Sequence, residues 1–305
     1  MLLNTFDYEF ILFDRLEKIK QINEEYNLEK NAYVSFSGGK DSTVLHYLLD
    51  MALPNNNIPR VYINTGIEYF DIKDFVINLS KSDDRFIIIS PNINIKKMLD
   101  EKGYPFKSKE HSLKIGMWQK GSKSKSVLNY KNNKNFGCPK CLKYQFENDF
   151  KLKLSNQCCY ELKKKPIAKW EEQHNKTLAI TGMRRGEGGE RSNINCILLD
   201  KNNLLKKFHP LANISDEFEN YFLEKNKIKL CKLYYQPFNF KRTGCKGCPY
   251  AIELQKELDI LERLLPNEKK QCEIIWKPVY TEYRRIGYRL RQTNEYKQIS
   301  IFDLL

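Results

Sequence analysis

The sequence predicts an α/β protein with a helical C-terminal extension, and three stretches carry that expectation. Residues 31–36 (NAYVSF) are apolar and β-rich, Ser37-Gly38-Gly39-Lys40-Asp41-Ser42 forms a glycine turn, and 43–51 (TVLHYLLDM) has helical periodicity. A strand, a tight turn and a helix start therefore follow one another. Residues 61–70 (VYINTGIEYF) read as a second strand and turn. Residues 7–26, with Phe10, Phe13, Leu16, Ile19 and Ile22 three apart, read as an amphipathic helix covering the sheet or a partner. Neither internal repeats nor a long linker interrupt the pattern. The simplest division is an N-terminal helix (1–28), an α/β core with a basic insert near 105–135 (29–215), and a C-terminal region carrying a CxxC pair and a short terminal peptide (216–305).

Composition narrows the class. The 305 residues hold 52 Lys+Arg against 38 Asp+Glu, a formal net charge of +14 that points towards polyanions. At 41% hydrophobic the chain has the material for a core, which argues against overall disorder. No apolar run approaches the ~18 residues needed to cross a bilayer, and the start MLLNTFDYEF lacks the pattern of a signal peptide. A cytoplasmic protein without a membrane partner is the expectation. In that compartment nine cysteines argue for metal ligation or redox chemistry rather than a disulfide framework.

The turn at 37–42 has the chemistry of an anion site. Adjacent glycines let the backbone approach a ligand, and the helix start supplies free N–H groups and the positive end of its dipole. Lys40 adds a point charge, and the hydroxyls of Ser37 and Ser42 can donate to phosphate oxygens. The spacing differs from the GxxxxGK[ST] of kinase-type loops. In this setting SGGKDS resembles the pyrophosphate loop of the adenine-nucleotide alpha-hydrolase-like ATP pyrophosphatases, and the segment from Val61 to Phe70 resembles the NTG-E strand end of one branch, the phosphoadenosine phosphosulfate (PAPS) reductase family.

The resemblance implies an open, mostly parallel sheet with helices on both faces, and ATP as a substrate split between its α and β phosphates. It assigns Ser37, Gly38, Gly39, Lys40, Asp41, Ser42, Thr65, Gly66, Glu68 and Gly182 to ATP and pyrophosphate binding. Residues 180–191 (ITGMRRGEGGER) are similar to the family loop whose arginines grip the anionic end of the nucleotide. Arg184, Glu187 and Arg191 match, and Gly188 stands where the family has Ser. Lys40, Asp41, Arg184 and Arg191 are thus the expected catalytic residues, with Asp41 orienting Mg²⁺ or its water shell. Residues 208–222 resemble a family entry into a helix, with Ser215 as N-cap and Phe218, Tyr221 and Phe222 as the apolar face.

The cysteines divide into pairs. Cys138/Cys141 and Cys245/Cys248 are CxxC pairs, which by spacing alone fit structural zinc, and Cys158-Cys159 are adjacent. Residues 158–167 (CCYELKKKPI) resemble the segment of iron–sulfur adenylylsulfate reductases in which a Cys-Cys and a distant CxxC ligate a [4Fe–4S] cluster. Cys245 lies 86 residues beyond Cys159, close to the family's separation. The resemblance therefore implies a cluster on Cys158, Cys159, Cys245 and Cys248, with Cys138/Cys141 as the second-choice pair, for zinc or for a thiolase-like cluster. Cationic neighbours such as Lys163, Lys164 and Lys165 favour thiolates. Cys196, Cys231 and Cys272 read as buried apolar thiols.

The family's reductases carry a nucleophilic cysteine in a Cys-Gly element near the C-terminus. After Cys248 this sequence has only Cys272 and no such element, which weighs against sulfonucleotide reduction. The closer match in logic is the iron–sulfur ATP pyrophosphatase of Dnd-type DNA phosphorothioation systems. That match implies a nucleic-acid partner, DNA before tRNA, and a cysteine desulfurase or other sulfur donor. Nine lysines against Glu110 between 102 and 134 can contact phosphates. Trp276 to Arg291 mixes arginines with Tyr280, Tyr283 and Tyr288, compatible with base stacking or with packing. The terminal Gln298-Ile-Ser-Ile-Phe302 resembles a sliding-clamp-binding peptide.

Overall fold

The computed structural model describes residues 5–133, 135–187 and 191–292. Lys134, Gly188, the side chain of Glu187 and the clamp-like Gln298–Phe302 lie outside what it describes. Among the described residues six strands form one sheet: β1 (Ala32–Phe36), β2 (Arg60–Ile63), β3 (Phe86–Ile89), β4 (Leu178–Ile180), β5 (Ile197–Leu199) and β6 (Leu205–Phe208). Their order is β3-β2-β1-β4-β6-β5. All neighbours pair in parallel except β5, which runs antiparallel to β6 at the edge.

Alternation along the strands distributes side chains to two covered faces. Ala32 and Val34 of β1 and Leu178 and Ile180 of β4 join Leu45, Leu48 and Leu49 of the helix Lys40–Ala52, Ile19 and Ile22 of the helix Thr5–Tyr26, and Phe218 and Phe222 of the helix Asp216–Lys225. The intervening Tyr33 and Ala179 pack on the other face with Val61 and with Trp170 of the helix Lys165–His174. The protein is thus an open, mostly parallel α/β sheet with helices on both faces. Each of these fully buried Val, Leu and Ile side chains contributes about 1.5–3 kcal/mol.

The N-terminal helix forms as its apolar content predicts, but its stripe is different. Ile19 and Ile22 are buried, whereas Phe10 and Phe13 are 68% and 62% exposed. A strict three-residue repeat drifts around a helix of 3.6 residues per turn, and nine residues amount to a half-turn offset, so Phe10 points away from Ile19. Leu12 is the buried residue in that half of the helix.

Two compact units arise, each assembled from separated segments. The first contains the described residues of Met1–Asn64, Phe70–Ser90 and Pro166–Thr243, and so the whole sheet. The second contains Thr65–Tyr69, Pro91–Lys165 and the described residues from Gly244 onward. It is helical, with Ile95–Lys102, Lys109–Gln119, Lys125–Asn132, Leu254–Leu264, Pro266–Ile275 and Lys277–Ile286. Among the described residues no helix is long and apolar enough to cross a membrane.

Candidate active site and thiol group

In the first unit β1 lies between β2, the next strand in sequence, and β4, so chain connections leave β1 and β4 in opposite directions. That switch point is where open α/β sheets bind ligands. The loop Ser37–Gly39 leaves β1 there, and Gly182 and Arg184 follow β4. Gly38 has φ +72°, and a Cβ on it would sit 2.9 Å from Cγ2 of both Ile72 and Val76, so only glycine makes this turn without strain. Gly39 is the N-cap of the helix Lys40–Ala52 and offers no side chain to its first turn. The turn is instead held from below: the carbonyl oxygen of Gly39 accepts from Thr43 N (3.0 Å), Thr43 Oγ1 (2.9 Å) and Ser42 Oγ (2.9 Å). Ser42 Oγ also accepts from Ser37 N at 3.3 Å. First-turn amides that have no intrahelical acceptor are what an anion finds at such an end. Lys40 N donates to the Tyr234 hydroxyl at 3.0 Å. A Cβ on Gly182 would meet the Asp41 carbonyl oxygen at 2.8 Å, so glycine there lets the β4 loop close against the phosphate loop.

Charge at this end is compact. Lys40 Nζ donates to Asn220 Oδ1 at 2.9 Å and lies 3.4 Å from Glu219 Oε2. Arg184 donates to Asp41 (3.0 Å), Asp216 (2.6 Å) and the Ile214 carbonyl (3.2 Å), and its NH2 is 3.2 Å from Glu219 Oε2. Arg184 thus holds carboxylates in place at the mouth of the loop. Glu219 itself is fully buried, and neither carboxyl oxygen has a hydrogen bond of good geometry. Burial first, and the Asp41 carboxylate second, raise its pKa from 4.5 to about 8. Lys40 and Arg184 pull the other way, but the off-line contacts do not offset desolvation. Arg191 is partly buried.

Glu219 is a site residue that sequence reasoning passed over, as is Tyr234. The helix Asp216–Lys225 begins as expected, with Ser215 Oγ accepting from Phe218 N at 3.2 Å and Phe218 and Phe222 buried. An acid between those two phenylalanines falls on the buried stripe, and that misplaced charge was the legible signal.

Thr65, Gly66 and Glu68 belong to the second unit. Glu68 closes a short loop by accepting from Thr65 N (3.0 Å) and Thr65 Oγ1 (2.6 Å). Its charge also acts on Lys163 and Cys245, which ties it to the thiols.

The second unit gathers four sulfurs. Cys158 Sγ lies 4.0 Å from Cys159 Sγ, at the start of a single π-helical turn, Tyr160–Lys164. Cys158 feels Cys248 and Cys245, and both CxxC thiols feel Cys159. A hydrogen bond from Cys158, aided by Lys109, Lys163 and Lys164, lowers Cys159 to about 6, while Cys158 is correspondingly raised. Burial raises Cys245 and Cys248. Lys163 donates to Cys245, whose charge raises the lysine's pKa. The Cys245–Cys248 turn is clasped by its unit: Gly247 N donates to Glu257 (2.8 Å), Trp276 Nε1 to the Lys246 carbonyl (3.1 Å), and Tyr280 OH to the Gly247 carbonyl (2.5 Å). Cys138, by contrast, has Lys107, Cys141 and Lys143 as its charged or titratable neighbours and is raised to about 11 by burial; Cys141 is exposed. Among the described residues no three His, Cys, Asp or Glu side chains converge tightly enough for a single metal ion. The donor set Cys158, Cys159, Cys245 and Cys248, four soft ligands with cations alongside, fits an iron–sulfur group in its chemistry.

Fold and loop together define an open α/β protein with a glycine turn and a helix start at the switch point of its sheet. The chain belongs to the phosphoadenosine phosphosulfate reductase domain family, which it matches over residues 31–135 and 122–251. It is 32% identical over 103 residues to an uncharacterised protein of Methanocaldococcus jannaschii, a match covering 31% of this chain and a quarter (25%) of that relative's length. Solved structures resembling it include the phosphate complex of PAPS reductase from Candida auris, at 13% identity and TM-score 0.44, covering 80% of this chain and 97% of that one. Another is the U34-tRNA thiolase NcsA from Methanococcus maripaludis with its [4Fe–4S] cluster, at 16% identity and TM-score 0.39, covering 92% and 80%.

Proposed function

We propose that this protein cleaves ATP between the α and β phosphates and uses the adenylyl group to activate a nucleic-acid acceptor for sulfur transfer. The observation that carries the proposal is the loop at the β1 switch point: a left-handed Gly38, a helix start with no capping side chain at Gly39, and Lys40, the arrangement that holds a departing pyrophosphate. An oxygen of the acceptor attacks the α-phosphorus, a new P–O bond forms, and the α–β bridging bond breaks with its electron pair leaving on pyrophosphate. A hydrosulfide, released from a persulfide donor by a thiol reductant that is oxidised to a disulfide, then attacks the adenylylated centre of the acceptor: the bond to sulfur forms, the bond to the bridging oxygen breaks with its electron pair leaving on AMP, and the proton of the hydrosulfide passes to solvent, so the acceptor exchanges oxygen for sulfur. The first displacement needs alignment and charge neutralisation rather than a covalent enzyme intermediate.

Ser37, Ser42 and the first-turn amides bind the leaving group, and Lys40 neutralises it. Arg184 fixes Asp41 and Asp216 beside it. Asp41 is the carboxylate that would hold Mg²⁺ or its water shell, with Glu219 beside it as a second carboxyl once deprotonated; Mg²⁺ takes one or two carboxylates plus substrate phosphates and would supply further neutralisation. Cys158, Cys159, Cys245 and Cys248 would hold a [4Fe–4S] cluster, whose chemistry when bound is electron transfer or ligation of a soft sulfur species.

The sulfonucleotide-reductase reading finds no support in the thiols. Cys272, the only cysteine after Cys248 in this sequence, is fully buried and pushed up to about 12 by that burial. Product analysis separates the two readings. AMP and pyrophosphate in equal amounts from ATP support the proposal, whereas sulfite from a sulfonucleotide plus thiol, with ATP intact, overturns it.

A further inference from the structure

The second unit carries a basic surface whose charges its own carboxylates do not neutralise. Twelve described lysines lie between 102 and 153, against Glu110, Glu147 and Asp149. Among the described residues none of the twelve has a carboxylate within ion-pair distance, although flanking lysines do: Lys97 pairs with Glu101 and Lys165 with Glu161. Lysines that only decorate a solvated face commonly interleave with acids.

Their placement is organised by one helix. Lys109–Gln119 starts at Lys109 and carries in its last turn Trp118, whose indole N–H is anchored to the Phe146 carbonyl at 2.8 Å. Lys123 and Lys131 sit over the Trp118 ring at 3.1 and 4.2 Å from its centroid. Trp118 also lines a groove of about 410 Å³ together with Lys120, Asn148, Phe150, Lys151 and Lys153, whose three lysines outnumber the one acid of its lining, Glu147. A run of cations along a groove with an aromatic wall and side-chain amides tracks a phosphodiester backbone and gives its bases or sugars a surface to lie on.

We infer that the face from Lys109 through Trp118 to the Lys120–Lys151–Lys153 groove is the docking surface for a nucleic-acid strand. This rests on the proposed function in one respect only, that the strand docked here is the acceptor. Docking itself needs no ATP, and the test uses none.

The test is fluorescence anisotropy of labelled 25-mers (single-stranded DNA, duplex DNA and an RNA hairpin) with the full chain, from 50 to 400 mM NaCl. The face variant is K120Q/K123Q/K151Q, and the control K201Q/K206Q/K227Q removes the same +3 from exposed positions of the first unit. Each lost phosphate contact lowers the salt slope by about 0.7–0.9, so the face variant loses about 2–3 from the slope and about 100- to 500-fold in affinity at 0.1 M salt. The control keeps the wild-type slope. Of the three oligonucleotides, the tightest binder identifies the strand type. The inference is overturned if no oligonucleotide binds at 50 mM salt, if the two triples weaken binding equally, or if vesicles with 30% anionic lipid bind while oligonucleotides do not. Unaltered melting temperatures establish that both triples are folded. A wild type that binds through this face but leaves ATP intact overturns the proposed function and keeps the docking surface. ATP cleavage without face-dependent binding does the reverse.

Discussion

Replacing Glu219 by Gln keeps the shape of the buried side chain and removes its titration. In the native protein the carboxyl titrates near 8 rather than 4.5, because burial and Asp41 disfavour its charge. The unfolded chain releases this proton near 4.5 and the folded chain holds it to about 8. Between those values the folded state carries more protons, and stability falls as pH rises. The contribution is fully present below 4.5 and is lost progressively up to about 8. From pH 6 to pH 8 the two titration curves give a loss of about 2 kcal/mol, from about 1.4 kcal/mol per unit reduced where the folded group itself begins to ionise. Urea unfolding of wild type and Glu219→Gln in EDTA at pH 6, 7, 8 and 9 measures it, since every other group titrates in both proteins and cancels in the difference. Wild type loses about 2 kcal/mol relative to the variant between pH 6 and 8 and levels off by pH 9. Parallel profiles, or a wild type that gains on the variant as pH rises, refute the reasoning: Lys40 and Arg184 would then hold Glu219 ionised.

Two further outcomes follow from the same geometry. Gly38→Ala forces a left-handed alanine against Ile72 and Val76, which costs about 2–4 kcal/mol in urea unfolding and abolishes ATP binding by calorimetry; a variant as stable as wild type contradicts the turn described here. Cys245→Ser, purified anaerobically, loses bound iron and the broad thiolate–iron absorbance, while Cys138→Ser retains both. Full iron in the first variant, or zinc alone in wild type, removes the ligand assignment.

Much of the site was readable because its chemistry is local. Strand, glycine turn and helix around 37–42 are contiguous, and each residue type has one job there, so β1, the loop and the helix Lys40–Ala52 stand where the pattern puts them. Ser215 capped its helix for the same reason. Glu219 and Tyr234 were missed because their roles depend on long-range approach: Tyr234 reaches Lys40 N across 194 positions of sequence. A periodicity of three suggested a stripe including Phe10 and Phe13 that the real helix pitch sends to solvent. For the tyrosines after Trp276 the sequence left stacking and packing open, and for two of them the structure takes packing. Tyr280 and Tyr283 are fully buried, their hydroxyls bonded to the Gly247 and Pro249 carbonyls, so they pack the CxxC turn and are unavailable for stacking on bases. The second unit, assembled from 65–69, 91–165 and the region after 243, has no counterpart in local composition, because only tertiary contacts unite its segments.

The central claim is the bond that breaks. Two ATP analogues test it with Mg²⁺, a nucleic-acid acceptor and sulfide present: one with a β,γ-imido bridge, the other with an α,β-methylene bridge. Cleavage between the α and β phosphates predicts AMP and imidodiphosphate from the first and no turnover of the second, by ³¹P NMR. Phosphate released from the α,β-methylene analogue, with the imido analogue intact, contradicts it.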